Sequence, residues 1–230
     1  RQLLGAELMS LVLHFHPLSS YCHKVLIGLY ERGTPFEARV LDLSQTAEEF
    51  AALWPTAKIP LLVDGKRVVP ETSIQLEYPD AHYPGPPMLP ADDEARLEAR
   101  LWDRLFDHYV MTPMQKIVAD RVRAGDEKDP RGVENARDML QMAYGLIEGH
   151  RAGRSWAAGA DFRLADCAAA PALFYAGIVE PWGEERCELG AYFERLVARP
   201  SVARTLSEAR PFFDYFPYRE LMPARFLEEA

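Results

Sequence analysis

The sequence predicts a chain of two parts, an α/β N-terminal part with a mixed four-stranded sheet and an all-helical C-terminal part. Three observations support this division. Short apolar runs alternate with helical periodicity between residues 10 and 82. A proline-rich segment follows. Beyond it, apolar residues recur only at helical spacing, and no convincing pair of strands appears.

The first strand and helix form the stretch around which the chain is organised. An apolar run from Leu11 to Phe15 predicts a buried strand, and Pro17 ends it. Ser19 and Ser20 then precede a helix that stops at Gly33. Because a helix start presents unpaired N–H groups and a partial positive charge, it suits an anion. We therefore expect the chemistry of this protein at that loop.

The rest of the α/β part follows the order β-α-β-α-β-β-α. Residues 35–43 begin as a strand, and a short helix ends at Trp54 and Pro55. Two apolar runs around Asp64 and Gly65 predict a hairpin, and a helix opens at Glu71. Since a parallel β-α-β unit needs a right-handed crossover, the sheet should be mixed and flanked by helices.

The predicted division of the chain has four segments. Residues 1–9 are expected to be a tag or a disordered extension, and residues 10–82 the α/β domain. Residues 83–91 carry several prolines and predict a semi-rigid linker. Residues 92–230 then form the helical domain: a long helix from Asp92 kinked at Pro113, a buried alanine-rich helix over 164–177, and an aromatic tail over 211–218.

Composition excludes several classes of partner. The formal charge of −9 argues against nucleic acid and anionic membranes as main partners. Three scattered cysteines imply no disulfide framework, so a reducing, cytoplasmic location is expected. Apart from proximity to Cys22, His14, His16 and His23 show no metal-ligand pattern, and we expect no metal.

Four motifs in order resemble the soluble glutathione transferase family, over most of the chain from Ser10 to about Ala209. The loop 18–25 (LSSYCHKV) is similar to the active-site loop of the serine-type theta- and zeta-like classes. Lys58-Ile59-Pro60 is similar to the segment before the family's cis-proline. Residues 71–78 resemble the family's Glu-Ser pair and its helix, and residues 162–166 resemble the start of its buried helix.

The resemblance implies a thioredoxin-like first domain and a site for glutathione. Ser19 matches the serine that stabilises the glutathione thiolate, and Ser20 would cap the helix beside the tripeptide. Pro60, in a cis bond, would expose the backbone of Ile59 to the extended peptide. Lys58 would meet the glycyl carboxylate.

The γ-glutamyl end of glutathione would lie at the helix that starts after Glu71. Backbone N–H groups and the Thr72 hydroxyl would hold its carboxylate, and Glu71 its ammonium group. The second substrate would lie between the domains against Leu18, Tyr109 and Met111, with the aromatic tail as a further candidate wall.

Two positions depart from the family pattern. Arg163 stands where the capping box of the buried helix normally begins with Ser or Thr, so Asp166 should reach back to a backbone N–H, or Asp161 should cap instead. Pro79 stands inside the helix that opens after Glu71, which should therefore end early or kink.

The resemblance favours a homodimeric detoxifying transferase that conjugates reduced glutathione to small hydrophobic electrophiles. Three alternatives stay open: a glutathione-dependent isomerase or dehalogenase on the same site, a thiol-disulfide oxidoreductase using Cys22, and a non-catalytic glutathione- or protein-binding module. Cys22 lies three residues after Ser19, the spacing of a redox C-x-x-C pair whose first cysteine is serine. The residue type favours a small buried apolar side chain at Cys22 over a redox thiol.

Overall fold

A computed structural model describes residues 11–41, 47–151 and 153–228. The expected N-terminal extension, residues 1–9, lies outside the described residues. The four strands are β1 (Leu11–Phe15), β2 (Glu37–Val40), β3 (Leu61–Asp64) and β4 (Arg67–Val69). The helices are α1 (Ser20–Arg32), α2 (Ala47–Leu53), α3 (Thr72–His82), α4 (Asp93–Leu105), α5 (Thr112–Val122), α6 (Pro130–Arg151), α7 (Leu164–Val179), α8 (Cys187–Val197), α9 (Pro200–Ala209) and α10 (Ala224–Leu227).

The strands form one mixed sheet in the order β2-β1-β3-β4, which confirms the predicted fold class. Strand β2 runs parallel to β1, with Leu13 opposite Ala38. Strand β3 runs antiparallel to β1, with Leu13 opposite Leu62, and β4 completes the predicted hairpin. The parallel pair requires the crossover that α1 supplies.

Two apolar cores hold the chain together. The smaller core lies between the sheet and α1 and includes Leu11, Leu13 and Val25. The larger core surrounds α7, whose residues are buried on every side as the alanine-rich pattern predicts. Helix α1 joins the two, because Ile27 on its other face belongs to the larger core. The first helix is therefore held from both sides.

Helix α3 differs from expectation at Pro79. The helix continues through Pro79 to His82, so it does not end early there, and a kink at Pro79 stays a prediction. The Pro79 carbonyl accepts from Tyr83 N at 2.9 Å and from the buried guanidinium of Arg32 at 2.8 Å. These contacts hold the last turn of α3, so the helix tolerates a proline whose own N–H is missing.

The long helix predicted after Asp92 is interrupted just before Pro113. Helix α4 passes into a π-helical turn over Phe106–Met111, and α5 begins at Thr112. Thr112 N donates to the Asp107 carbonyl, five residues back. Since proline lacks an N–H and its ring collides with the preceding turn, the helix widens here. In the part of the chain that the structure describes, no helix is long and apolar enough to cross a membrane.

The predicted capping of α7 is confirmed at Asp166. Its Oδ2 accepts from Arg163 N at 2.9 Å, and its Oδ1 accepts from Ala157 N at 2.8 Å. Asp161 does not cap the helix; its carboxylate pairs with the Arg163 guanidinium at 2.8 Å. Burial raises the pKa of Asp166 to about 6, although three donated hydrogen bonds, including one from Tyr192, oppose this. The helix starts without Ser or Thr because Asp166 supplies the bonds itself.

Candidate active site

Ser19 is the residue that caps α1. Its backbone is extended, with φ −77° and ψ 120°, and its Oγ accepts from Cys22 N at 3.4 Å. The prediction that Ser20 caps the helix is wrong. Ser20 lies in the first turn, is only 3 % exposed, and its hydroxyl accepts from Gln115 Nε2 at 3.3 Å. The half-buried Ser19 hydroxyl is therefore the one at the helix mouth.

The loop before Ser19 is tied to α1 by a buried histidine. His23 Nε2 lies 2.5 Å from the carbonyl oxygen of Pro17, so this nitrogen carries the proton and donates it. Burial lowers the pKa of His23 to about 4, and the ring is neutral at physiological pH. This bond fixes the backbone two residues before Ser19.

Cys22 is packed inside the sheet–α1 core, where its thiol is shielded from solvent. The side chain is fully buried, and its Sγ accepts from His16 N at 3.5 Å. Burial raises the pKa of Cys22 to about 12. Because the thiolate is the nucleophile in disulfide exchange, this environment disfavours a redox role.

A cleft of about 360 Å³ gathers five of the residues predicted to bind the tripeptide: Lys58, Ile59, Pro60, Glu71 and Thr72. The bond between Ile59 and Pro60 is cis, as predicted. The Pro60 carbonyl accepts from the fully buried Gln75 Nε2 at 2.8 Å, which ties this turn to α3. Ser19 and Ser20 do not line this cleft; Tyr21 does.

Glu71 stands at the start of α3 in an unusual backbone conformation. Its φ is +67°, in the left-handed region that an L side chain rarely adopts. Its own side chain makes no capping bond to α3. Such local strain tends to cluster at functional sites, and Glu71 lines the cleft.

The opposite wall of the cleft escaped the sequence reasoning. It comes from the α4–α5 region, through Arg104, His108, Thr112 and Gln115, with Asp107 beside them. These four are spaced by four, four and three residues, which places them on one side of a helix. The recurrence of polar side chains at helical spacing was the signal that could have found them.

Below this wall lies a buried ion cluster that joins α1, α3 and α4. The fully buried Lys24 Nζ lies 2.6 Å from Asp103 Oδ1 and 2.7 Å from Asp107 Oδ2, and it donates to Ser73 Oγ at 3.1 Å. Arg104 pairs with both carboxylates from the cleft side. Two cations and two carboxylates balance, so the buried charges are paired. The cluster connects both walls of the cleft to the first helix.

The residues predicted for the second substrate are dispersed. Leu18 is partly buried against the helical core, and Tyr109 is 43 % exposed. Met111 is fully buried in the core and does not line this cleft. The aromatic tail packs on α7, where Phe213 and Phe216 contact Phe174 and Tyr175.

Within the described residues, no three His, Cys, Asp or Glu side chains are grouped to hold a metal ion. The expectation of a metal-free site is therefore left as a prediction.

Comparison with known proteins supports the resemblance. Residues 13–87 match the family model for the glutathione S-transferase N-terminal domain, and residues 105–200 match that for the C-terminal domain. The chain is 32 % identical over 209 residues to Glutathione S-transferase 3 of Zea mays, covering 86 % of this chain and 93 % of that protein.

Two bacterial relatives carry other names. The chain is 27 % identical to the Stringent starvation protein A homolog of Coxiella burnetii, covering 86 % of this chain and 92 % of the relative. It is 31 % identical to FtsZ-localized protein A of Caulobacter vibrioides, with the same two coverages of 86 % and 92 %.

A solved structure is similar in fold and in sequence. A glutathione S-transferase from Methylobacterium radiotolerans, in complex with glutathione sulfonate, is 27 % identical with a TM-score of 0.74, covering 85 % of this chain and 93 % of that one. The family match supports glutathione transferase activity in general. Membership of the serine-type subclass stays a prediction. With both domains matched in order on one chain, this protein belongs to the glutathione S-transferase family.

Proposed function

We propose that this protein conjugates reduced glutathione to small hydrophobic electrophiles, with Ser19 donating a hydrogen bond to the glutathione thiolate. The observation that carries the proposal is the position of the Ser19 hydroxyl at the mouth of α1. A cleft that gathers the tripeptide-binding residues begins two residues further on, at Tyr21. An anion at this point meets both a hydroxyl and a helix N-terminus.

The hydrogen bond at Ser19 leaves its proton available. The oxygen accepts from Cys22 N, so the hydroxyl hydrogen can be donated to the glutathione sulfur in place of its side-chain contact with Cys22. The Tyr21 hydroxyl, which is also nearby, is less suited to donate to the sulfur. Tyr21 is directed to the Asp107 carbonyl at 3.4 Å, and burial raises the pKa of Tyr21. Ser19 needs only to donate, without ionising itself.

The expected lowering of the glutathione thiol pKa by Ser19 and the start of α1 is large enough for catalysis. A free thiol with a pKa near ~8.5 is only a few per cent ionised at neutral pH. A hydrogen bond to a charged group contributes about 1.5–3 kcal/mol, and a helix N-terminus about 0.3–1 kcal/mol. Together they lower the thiol pKa by about 1.5–3 units, at ~1.4 kcal/mol per unit. The thiolate then becomes the main species.

The cleft supports an extended tripeptide. The backbone of Ile59 would pair with the peptide, Lys58 would meet the glycyl carboxylate, and the first turn of α3 would take the γ-glutamyl carboxylate. Glu71 would hold the ammonium group. Arg104 and Gln115, on the opposite wall, are positioned to close on the same molecule. For the second substrate, Leu18 and Tyr109 are the predicted contacts that stay accessible.

A homodimer belongs to the proposal. Leu97 and Leu101 on α4 are 59 % and 61 % exposed, and Ile74 on α3 is 52 % exposed. The Arg100–Glu77 ion pair, at 2.7 Å, brings the two helices together between these side chains. Exposed apolar residues grouped around a polar pair are typical of a protein–protein contact. A cytoplasmic location and a detoxifying role are likewise parts of the proposal.

Thiolate formation and turnover together test the proposal. Glutathione is titrated against pH with the wild-type protein, Ser19→Ala and the exposed control Ser207→Ala, following the ultraviolet absorbance of the thiolate. The wild type and Ser207→Ala should form thiolate near neutral pH, and Ser19→Ala should require a pH one unit or more higher. Equal titration of Ser19→Ala and wild type would overturn the role of Ser19.

Turnover with a panel of electrophiles, α-keto acids, maleyl acids and mixed disulfides separates the alternatives. Conjugation of electrophiles supports the proposal, whereas turnover of the acids alone favours the isomerase or dehalogenase. Activity on mixed disulfides that is lost in Cys22→Ser would favour the oxidoreductase.

A binding role is the second candidate, and the names of two relatives favour it. The Coxiella protein is named for stringent starvation and the Caulobacter protein for its localisation with FtsZ. For this chain, glutathione binding measured by calorimetry, without thiolate absorbance and without turnover of any compound in the panel, would favour a glutathione- or protein-binding module over the enzyme.

A further inference from the structure

The Tyr21 side chain lies where the α/β part meets the helical part. Tyr21 belongs to the first turn of α1, and its side chain lines the tripeptide cleft. Its hydroxyl reaches the π-helical turn between α4 and α5, 3.4 Å from the Asp107 carbonyl oxygen. Asp107 and Thr112, which surround this hydroxyl, line the same cleft. The hydroxyl therefore lies at the boundary of the two parts, where the second substrate is expected beside bound glutathione.

The hydrogen bond that Tyr21 makes to this carbonyl is a weak one. The Asp107 carbonyl already accepts from Thr112 N and, at 2.9 Å, from Thr112 Oγ1. A carbonyl oxygen has two lone pairs, and these two donors use both. Tyr21 is thus a third donor, at a distance longer than O–H···O hydrogen bonds usually have. Its hydroxyl hydrogen can be given to a ligand at little cost in stability.

The Tyr21 hydroxyl stays protonated at the pH at which glutathione reacts. Burial raises the pKa of Tyr21, and the side-chain hydrogen bond with Thr112 opposes this rise. Among the charged groups around it, Asp107 and Glu71 raise the pKa of Tyr21 further and Arg104 lowers it. Because the phenol keeps its proton at neutral pH, it serves as a hydrogen-bond donor and not as a base.

A neutral donor of this kind favours reactions in which an oxygen atom gains negative charge. A donor fixed in a partly buried site stabilises charge that develops in the transition state more than it stabilises the uncharged substrate. Addition of a thiolate to an α,β-unsaturated carbonyl compound places the new charge on the carbonyl oxygen. Displacement of a halide from an alkyl carbon places no charge on oxygen. The hydroxyl therefore distinguishes these two classes of electrophile.

We propose that Tyr21 is a catalytic residue that donates a hydrogen bond to the carbonyl oxygen of an α,β-unsaturated ketone or aldehyde as glutathione adds to it. This rests on the proposed function, because the thiolate is the nucleophile. The sulfur lone pair forms a bond to the β-carbon, and the electron pair of the C=C bond moves to give an enolate. Tyr21 stabilises the enolate oxygen and keeps its own proton. The α-carbon then takes a proton from water, which balances the proton that the thiol released.

The test compares two electrophiles of similar size on the whole protein at saturating glutathione. One is the enone trans-4-phenyl-3-buten-2-one, and the other is benzyl chloride, which reacts by loss of chloride. Tyr21→Phe removes only the hydroxyl and should lower kcat for the enone about tenfold to a hundredfold, with benzyl chloride turnover within twofold of wild type. Tyr215→Phe, at a tyrosine 77 % exposed, is the matched control and should leave both rates unchanged.

Thiolate absorbance separates failure of this proposal from failure of the proposed function. Tyr21→Phe should form the glutathione thiolate at the same pH as wild type and keep its melting temperature, because Ser19 and the Asp107 carbonyl keep their bonds. A wild-type protein that forms no thiolate and conjugates neither compound would overturn both proposals. Thiolate formation with equal losses on the two electrophiles, or with no loss on the enone, would overturn the role of Tyr21 alone.

A tyrosine analogue supplies a measurement that a structural role would not move. 3,5-Difluorotyrosine at position 21 keeps the ring and the hydroxyl but is more acidic than tyrosine. Once ionised it has no proton to donate, so the enone rate should fall at a lower pH than in wild type. The benzyl chloride rate should keep the wild-type pH profile. An enone profile identical to that of wild type would refute the proposal.

Discussion

His23 donates from Nε2 to the carbonyl oxygen of Pro17 across 2.5 Å, and this bond ties helix α1 to the loop that carries Ser19. The imidazole is neutral and fully buried beside Tyr175, with 5.5 Å between the ring centroids. The candidate catalytic serine thus depends on a residue from its own helix, four positions along the chain.

This bond predicts a specific acid sensitivity. Burial lowers the pKa of His23 from 6.5 to about 4, so the unfolded chain binds a proton that the folded chain excludes. The free energy of unfolding therefore falls as pH drops from 6.5 towards 4, by about 3 kcal/mol from this group alone. Urea unfolding at several pH values, for wild type and His23→Gln, measures the effect. The gap between the two proteins should shrink towards pH 4; a constant gap would contradict the prediction.

Two substitutions at Ser19 should separate its capping role from its chemical role. Ser19→Ala removes the cap and should lower the free energy of unfolding by about 1 kcal/mol, together with the loss of thiolate stabilisation. Ser19→Asp keeps an acceptor for Cys22 N, so it should retain stability. Its negative charge should repel the thiolate and abolish conjugation. Chemical unfolding and turnover, measured side by side, check this; an active Ser19→Asp variant would count against the proposed mechanism.

The three cysteines should differ sharply in reactivity. Cys22 and Cys167 are buried and Cys187 is exposed. Burial raises the pKa of Cys22 to about 12 and raises that of Cys167 as well. A chromogenic disulfide reagent should therefore modify one thiol per native chain and three after denaturation. Cys187→Ser should abolish the native reaction, whereas rapid modification of Cys22 would reopen the oxidoreductase alternative.

Asp166 should be among the most sensitive positions in the helical part. Its carboxylate accepts from Tyr192 Oη at 2.6 Å and from the backbone N–H groups of Ala157 and Arg163. Asp166→Ala leaves three donors without their partner, and we expect a loss of about 3 kcal/mol or more in the free energy of unfolding. Asp161→Ala, at a carboxylate 71 % exposed, should cost less than about 1 kcal/mol. Equal losses in the two variants would contradict this account.

The predicted dimer can be broken at one residue. Leu101→Glu places a charge on the exposed apolar surface of α4 and should convert the protein to a monomer in light-scattering chromatography. Leu146→Glu, at an apolar residue on α6 that is 50 % exposed, is the matched control and should leave the dimer intact. A wild-type protein that is already monomeric would refute the prediction directly.

Local sequence patterns predicted much of the fold. The alternation of strands and helices was predicted from neighbouring residues. The cis bond before Pro60 and the capping role of Asp166 were predicted from the family resemblance, and the structure has both. The cap of α1 shows the limit of prediction from local sequence, because Ser19 occupies the position predicted for Ser20. Adjacent serines are equivalent as sequence signals, and only the backbone angles at Ser19 decided which one caps.

The sequence by itself determined the mixed sheet and the buried central helix, since hydrophobic periodicity and turn chemistry are local. The residues that line the cleft from the α/β part were predicted from the family resemblance. Only the tertiary structure decided that Arg104 and Gln115 complete that cleft, that Lys24 is paired inside the protein, and that Met111 belongs to the core. These depend on how α4 and α5 pack against α1. Packing between distant segments is set by the shapes and charges of both surfaces together, which no single stretch of sequence contains.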